Sequence, residues 1–257
     1  MTVDGLLVDI DGVLTVSWEP IPGAAAAHRR LREAGVPMRY ATNTTSRSRA
    51  AVAEALRAAG FEVDAHEIVN APAATAALLR RDHPGARCLL VTEGDPTDDL
   101  EGVTLVDEPP IDVVVLGGAG PAYTHEALTR AFRALLDGAA LVAMHRNSWW
   151  RTADGLTLDT GAYLVGLEAA AGVTAEVAGK PAPAFLAAGL DALGLPAERV
   201  AMVGDDVESD VLGAQANGLT GVLVRTGKFR PDDLAHLDGS PDVVLDGFAD
   251  VPAWLGR

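Results

Sequence analysis

Cysteine is all but missing from this chain of 257 residues: Cys88 is the only one, so no intramolecular disulfide can form. Its place in the apolar run CLLVT reads as a buried, reduced thiol. Positive charge is scarce as well. Against 36 aspartates and glutamates stand 20 lysines and arginines, a formal net charge of −16, which speaks against nucleic acid or an anionic membrane as partner, since either demands a basic face. No apolar run approaches the roughly 18 residues of a spanning helix. The start, MTVDGLLVD, lacks a basic region followed by a long apolar one, and the chain reads as soluble and cytoplasmic. Aromatic residues make up 5% and the 6 histidines are scattered, which disfavours a zinc set and leaves the histidines as surface or packing residues. No repeat or low-complexity linker interrupts the chain, and the alanines at 24–27 are explained by helix formation.

What is present is an alternation of apolar, β-branched runs with alanine-rich amphipathic stretches, the pattern of a parallel sheet with crossover helices. VDGLLVDI, VPMRYAT, CLLVT, DVVVLGG, LVAMHR, VAMVGD, GVLVRTG and DVVLDGF read as strands. Helices are expected over PGAAAAHRRLREAG, SRSRAAVAEALRAAG with Ser46 or Thr45 as its cap, APAATAALLRRDHPG, HEALTRAFRALLDG, AYLVGLEAAAG and PAFLAAGLDALG. A short helix from about Val207 to Ala216 separates two of the strands. His66, Glu67, Ile68 and Val69 read as a helix-entry region without catalytic content. The fold class is α/β.

Polar clusters stand where the apolar strands end. In LLVDIDGVLT, Asp9 and Asp11 are two residues apart and share a strand face; at about 4 Å their repulsion is about 4 kcal/mol at a protein-like effective dielectric. Thr42 and Asn43 follow MRYA, Lys180 lies in VAGKP, and Asp205, Asp206 and Asp210 lie in MVGDDVESD. Ligands of open α/β sheets bind outside the carboxyl ends of the strands, so these distant groups can share one site. Oxygen donors of this kind suit Mg²⁺, and a divalent cation makes the acidic pair tolerable.

DIDGVLT, the TN of YATN, the lysine of GKP and GDDVESD, in this order, resemble the four motifs of the haloacid dehalogenase (HAD) superfamily. TNTTSRSR, DGLTLDTGAYLVGLEAA, GKPAPAFL and MVGDDVESDVLGAQANGLTGVLVRTGKFR extend the resemblance over nearly the whole chain. They are similar to the subgroup with a large α/β cap that contains phospholysine phosphohistidine inorganic pyrophosphate phosphatase. The resemblance implies a Rossmann-like core over residues 1–82 and 179–257, an inserted α/β cap over 83–178, and a homodimer formed through the cap. It implies a phosphatase acting on a small phosphorylated molecule, with Asp9 as nucleophile and Asp11 as general acid and base. Thr42, the Asn43 amide and Lys180 meet the phosphoryl oxygens. Mg²⁺ is held by Asp9, Asp205 and the Asp11 carbonyl, and Asp210 holds a metal water or orients Lys180; the role of Asp206 is open. Some relatives lack the second acid, and its presence here argues against dehalogenation. Pyrophosphate or a phosphoramidate is the alternative substrate, and a non-catalytic phospholigand-binding protein a further one.

Two segments stay outside the motifs. GGAGPA lacks the G-x-G-x-x-G spacing of a dinucleotide site and reads as a strand-to-helix loop of the cap. HRNSWWRTADGL is either a cap strand and turn with one tryptophan in the core, or a specificity element in which Asn147 or Arg151 meets the leaving group.

Overall fold

Gly5–Asp9 (β1) is buried at every position, and alternation sends its side chains into two different cores. Leu6 and Val8 pack with Leu31 and Leu56 of the helices on one face, whereas Leu7 packs with Phe185 and Leu186 on the other. The computed structural model describes residues 3–152, 155–230 and 239–257. β1 lies inside a six-stranded parallel sheet with Val243–Leu245 (β15), Thr220–Val224 (β14) and Val200–Gly204 (β13) to one side, and Met38–Thr42 (β4) and Ile68–Asn70 (β5) to the other. The chain leaves β1 towards β4 and returns on its opposite side at β13, so the strand order reverses here and a crevice opens at the carboxyl ends. Ile68–Asn70 is thus a strand rather than a helix entry. Three residues are too few for their own periodicity to mark them, and the pairing with β4 decides the conformation.

A second parallel sheet is inserted between β5 and β13. Its order is Glu176–Val177 (β12), Ala140–Ala143 (β9), Val113–Leu116 (β8), Arg87–Val91 (β6) and Thr104–Leu105 (β7). Two hairpins complete the strands: Thr15–Val16 (β2) with Glu19–Pro20 (β3), and Trp149–Thr152 (β10) with Gly155–Leu158 (β11). The helices are Ala24–Glu33 (α1), Arg49–Ala58 (α2), Ala71–Asp82 (α3), His125–Leu136 (α4), Thr160–Ala171 (α5), Pro183–Leu193 (α6), Gly213–Ala216 (α7) and Val251–Trp254 (α8). The cap of α2 is Ser48, which accepts the Ala51 N–H. Thr45 instead takes the N–H of Gly118 from the inserted unit at 2.6 Å. Cys88 is buried, and burial pushes its thiol up to about 11.

The seam between the two units is bonded as well as packed. Helix α3 places Leu78 and Leu79 in the same cluster as Val113 and Val115 of the inserted sheet. The buried carboxylate of Asp99 accepts from the Arg49 main-chain N–H (2.7 Å), the Arg49 guanidinium (2.8 Å) and the Asn70 side chain (2.7 Å).

His28 is buried on α1, 2.6 Å from the Tyr40 hydroxyl and edge-on to Phe61. Burial, helped by Arg32, lowers its imidazole to about 4. Folding therefore keeps this ring neutral while the unfolded chain protonates it near pH 6.5. The contribution to stability is present above pH 6.5 and is lost as pH falls through 4, amounting to about 3 kcal/mol over that window. Urea unfolding of His28→Gln should show the variant less stable at pH 7, with a gap to wild type that narrows towards pH 4; a gap that widens contradicts the assignment.

Candidate active site

Asp9 ends β1, Thr42 ends β4, and Asp205 follows the end of β13, on three adjacent strands. Lys180 arrives from the loop between β12 and α6 and is 3% exposed. Its ammonium lies 2.6 Å from Asp9 Oδ1 and 2.8 Å from Asp210 Oδ1, and donates to the Ala41 carbonyl at 3.2 Å. Asn43 fixes this loop: its Oδ1 accepts the Lys180 N–H at 2.9 Å, and its Nδ2 donates to the Lys180 carbonyl at 3.2 Å and to Asn147 Oδ1 at 3.3 Å. The side-chain amide is thereby engaged in holding the Lys180 loop and Asn147.

Carboxylate oxygens of Asp9, Asp205 and Asp210, all buried, lie within 4.8 Å of one another. Burial raises all three carboxyls: Asp210 to about 7 against the pull of Lys180, and Asp205 well above its usual range, with Asp9 and Asp210 adding to the effect. Asp9 and Asp210 share the Lys180 ammonium, and the cation that pulls on Asp205 is Lys228. An all-oxygen cluster with surplus negative charge is what a hard divalent cation fits, because the ion removes the cost of gathering the acids. Asp205 is clamped at the same time. Its Oδ2 accepts the Lys228 N–H at 2.7 Å, and a Cβ on Gly12 (φ 84°) or Gly227 (φ 61°) would come within 2.0 Å of that oxygen. Both positions thus require glycine on conformational and steric grounds.

Asp206, left open by the sequence, points elsewhere. Its Oδ1 accepts the Glu208 and Ser209 N–H groups at 3.0 Å each, capping the π-helical turn Val207–Leu212, and its Oδ2 pairs with the Lys228 ammonium. Burial alone would raise this carboxyl, yet Lys228 and the Ser209 N–H outweigh it and hold it below the usual range. The wide turn, where the Val211 N–H reaches the Asp206 carbonyl at 3.3 Å, replaces the regular helix expected there and aims Asp210 at Lys180.

Asp11 is the acid least tied to this cluster. Its Oδ2 accepts from the Thr44 hydroxyl at 3.0 Å, and Thr44 in turn bonds Thr42 through both its hydroxyl and its N–H at 3.0 Å. Burial raises the Asp11 carboxyl, with Thr44, Lys180 and Lys228 pulling the other way, and a raised carboxyl is the direction that general-acid chemistry favours. Asp9 and Asp11 open onto a cavity of about 400 Å³, walled by the β2–β3 hairpin and by the inserted unit.

Asn147 lines this cavity, as do Gly118 and Ala119 of the GGAGPA loop. The backbone of Arg151 lies on β10, and its side chain lies outside the described residues. Neither tryptophan of the WW pair is in the core: Trp150 is 40% exposed and lines the cavity, whereas Trp149 lines a groove on the other side. Adjacent strand residues face opposite ways, which accounts for the split. Sequence reasoning missed Trp18, Thr44, His145 and Lys228. His145 is buried and lines the cavity, contrary to its reading as a surface or packing residue. It follows the apolar strand β9 as Asp9 ends β1, so the strand-end rule applied to it too.

Two family models cover most of the chain: haloacid dehalogenase-like hydrolase over residues 6–105 and HAD-hydrolase-like over residues 177–251. The human haloacid dehalogenase-like hydrolase domain-containing protein 2 is 36% identical over 95% of this chain and 92% of its own. The phospholysine phosphohistidine inorganic pyrophosphate phosphatase of Xenopus laevis is 36% identical over 96% of this chain and 90% of its own. Among solved structures, the p-nitrophenyl phosphatase from Archaeoglobus fulgidus superposes with a TM-score of 0.89 at 32% identity, covering 99% of this chain and 100% of that one.

Proposed function

The chain belongs to the haloacid dehalogenase-like hydrolases and is a phosphatase, and from that premise we propose that it hydrolyses a small phosphorylated metabolite through phosphorylated Asp9, with Mg²⁺ as its cofactor. The observation that carries this reading is the buried group of Asp9, Lys180 and Asp205 lining the cavity, with Asp210 behind Lys180 and Asp11 beside them. Asp9 Oδ1 is engaged by Lys180 at 2.6 Å and by the Ile10 N–H at 2.8 Å, so Oδ2 attacks phosphorus. The bond from phosphorus to the leaving oxygen breaks as Asp11 gives that oxygen its proton. Asp11, now a carboxylate, takes a proton from water; the water oxygen attacks the same phosphorus, and inorganic phosphate leaves Asp9 free again. Thr42, the Asn43 N–H and Lys180 hold the phosphoryl oxygens as charge shifts onto them. Asp9, Asp205 and the Asp11 carbonyl would hold Mg²⁺, which when bound would supply charge neutralisation for the acids and the phosphoryl group. Asp210 acts by orienting Lys180.

A panel of phosphorylated metabolites tests this. Phosphate release is expected in Mg²⁺ buffer, is lost in EDTA and returns with excess Mg²⁺; a full panel that yields no phosphate with Mg²⁺ overturns the reading. The 36% identity to a phospholysine phosphohistidine inorganic pyrophosphate phosphatase favours a second reading, cleavage of P–O–P or P–N bonds by the same nucleophile. Rates on pyrophosphate and imidodiphosphate against p-nitrophenyl phosphate in the same assay separate the two.

A further inference from the structure

The wall of the cavity beyond the catalytic acids is made by residues to which no role has been given so far: Trp18 of the β2–β3 hairpin, Trp150 of β10, and Glu93, His145 and Asp159 of the inserted unit. Trp18 is held there by an unusual backbone. Ser17 (φ 50°) and Trp18 (φ 68°) are the only non-glycine residues with positive φ among those described, and they form the two-residue loop of the hairpin. Such a loop favours Asn-Gly, and a bulky residue in it is strained. The Arg47 guanidinium lies over the indole at 4.8 Å, and the ring also rests on the apolar core. These contacts hold a large aromatic surface at the cavity wall.

Charge on this wall is one-sided. The described cations that line the cavity are Lys180 and Lys228, both at its inner end and both in ion pairs, with Asp9 and Asp210 and with Asp206 respectively. The Arg47 guanidinium is stacked on Trp18. Further out are the carboxylates of Glu93 and Asp159. Glu93 Oε2 accepts the Ala122 N–H at 3.1 Å, and Asp159 Oδ1 accepts the N–H groups of Thr160 (2.8 Å) and Ala119 (3.1 Å) and the Thr160 hydroxyl (3.3 Å), so neither acid is paired with a lysine or arginine among the described residues. Burial lowers the His145 imidazole against the pull of Asp159, which disfavours a positive charge there. Its Nδ1 accepts the Asn147 N–H at 3.3 Å, which places the proton on Nε2, 3.8 Å from Asp159 Oδ2.

We infer that this aromatic, acidic wall is a leaving-group subsite that takes cationic or neutral leaving groups, such as an amino alcohol or an aromatic alcohol, and rejects those carrying a second negative charge. The inference rests on the phosphatase reading and deepens it. An ammonium or a ring gains from the indoles and the carboxylates, whereas a carboxylate or second phosphate meets two acids there, and the described cations lining the cavity, Lys180 and Lys228, are already held in ion pairs.

The test is kcat/KM at fixed ionic strength for three esters of similar size: phosphoethanolamine, ethyl phosphate and phosphoglycolate. The expected order places phosphoglycolate at least tenfold below the other two, which is about 1.4 kcal/mol. Glu93→Gln should shrink the ratio of ethyl phosphate to phosphoglycolate at least threefold, and Trp18→Ala should raise KM for p-nitrophenyl phosphate more than for ethyl phosphate. Phosphoglycolate as the equal or better substrate of the wild-type protein overturns the subsite, as does a ratio that Glu93→Gln leaves in place. No phosphate from any ester overturns instead the phosphatase reading beneath it.

Discussion

Asp9→Asn abolishes turnover, with kcat falling on the order of 10⁴-fold or more, the scale seen when a nucleophile is removed. Asparagine keeps the shape of the side chain and an oxygen for the Ile10 N–H, which is 2.8 Å from Asp9 Oδ1, yet its amide cannot attack phosphorus. Loss of the charge does not unfold the protein. The Asp9 carboxyl is raised by burial even with Lys180 beside it, so its ionised form is the costly one, and a neutral isostere relieves repulsion from Asp11 and Asp205. The melting temperature of the variant should match or exceed that of wild type in metal-free buffer. Turnover above a hundredth of the wild-type rate, in protein free of contaminating phosphatase, moves the nucleophile to another residue.

Lys180→Met has the opposite effect on stability. The lysine is 3% exposed and its ammonium contacts Asp9, Asp210 and the Ala41 carbonyl. Methionine fills much of the same space and removes the charge, leaving the buried carboxylates of Asp9 and Asp210 without the ammonium that pairs them. Breaking a buried pair in this way costs about 3–5 kcal/mol, and kcat/KM should fall by on the order of 10²-fold or more as the phosphoryl group loses its fixed charge. The pH dependence identifies the cause. Asp210 is raised to about 7 even with Lys180 present, and its folded-state value rises further without it. Carboxyls raised in the folded state stabilise it at low pH and lose that contribution as pH climbs through their folded-state values. Urea midpoints of the variant should therefore recover on acidification from pH 8 to pH 6 and, at fixed pH, on addition of Mg²⁺, which binds only the folded cluster. A deficit that does not change with pH or Mg²⁺ would indicate lost packing alone.

The residues legible in the sequence are those whose place follows from strand alternation and strand ends. Asp9, Thr42 and Asp205 qualify because LLV, MRYA and AMVG are buried runs with polar residues just beyond them, and the structure brings all three to one crevice. Lys180 was found by its motif, since it lies in a loop and has no periodicity to mark it. What stayed hidden depends on pairing between distant segments. The role of Asn43 becomes visible only when a loop 137 residues away lies against it, and β5 is a strand only because β4 is next to it. Trp18 and Lys228 were hidden for a related reason, as each is positioned by a tight turn whose partners lie elsewhere in the chain: Arg47 for the first, Asp205 and Asp206 for the second. His145 differs, because the rule that found Asp9 also applied to it.

The seam residue Asp99 bears on how molecules reach the chemistry. A carboxylate accepts Arg49 twice and Asn70 once across the joint. Hydrogen bonds to a charged group are worth about 1.5–3 kcal/mol each. Swinging the inserted unit away from the core would break all three, so these bonds oppose opening of the joint. A joint held this way favours substrates small enough for the cavity of about 400 Å³ as it stands.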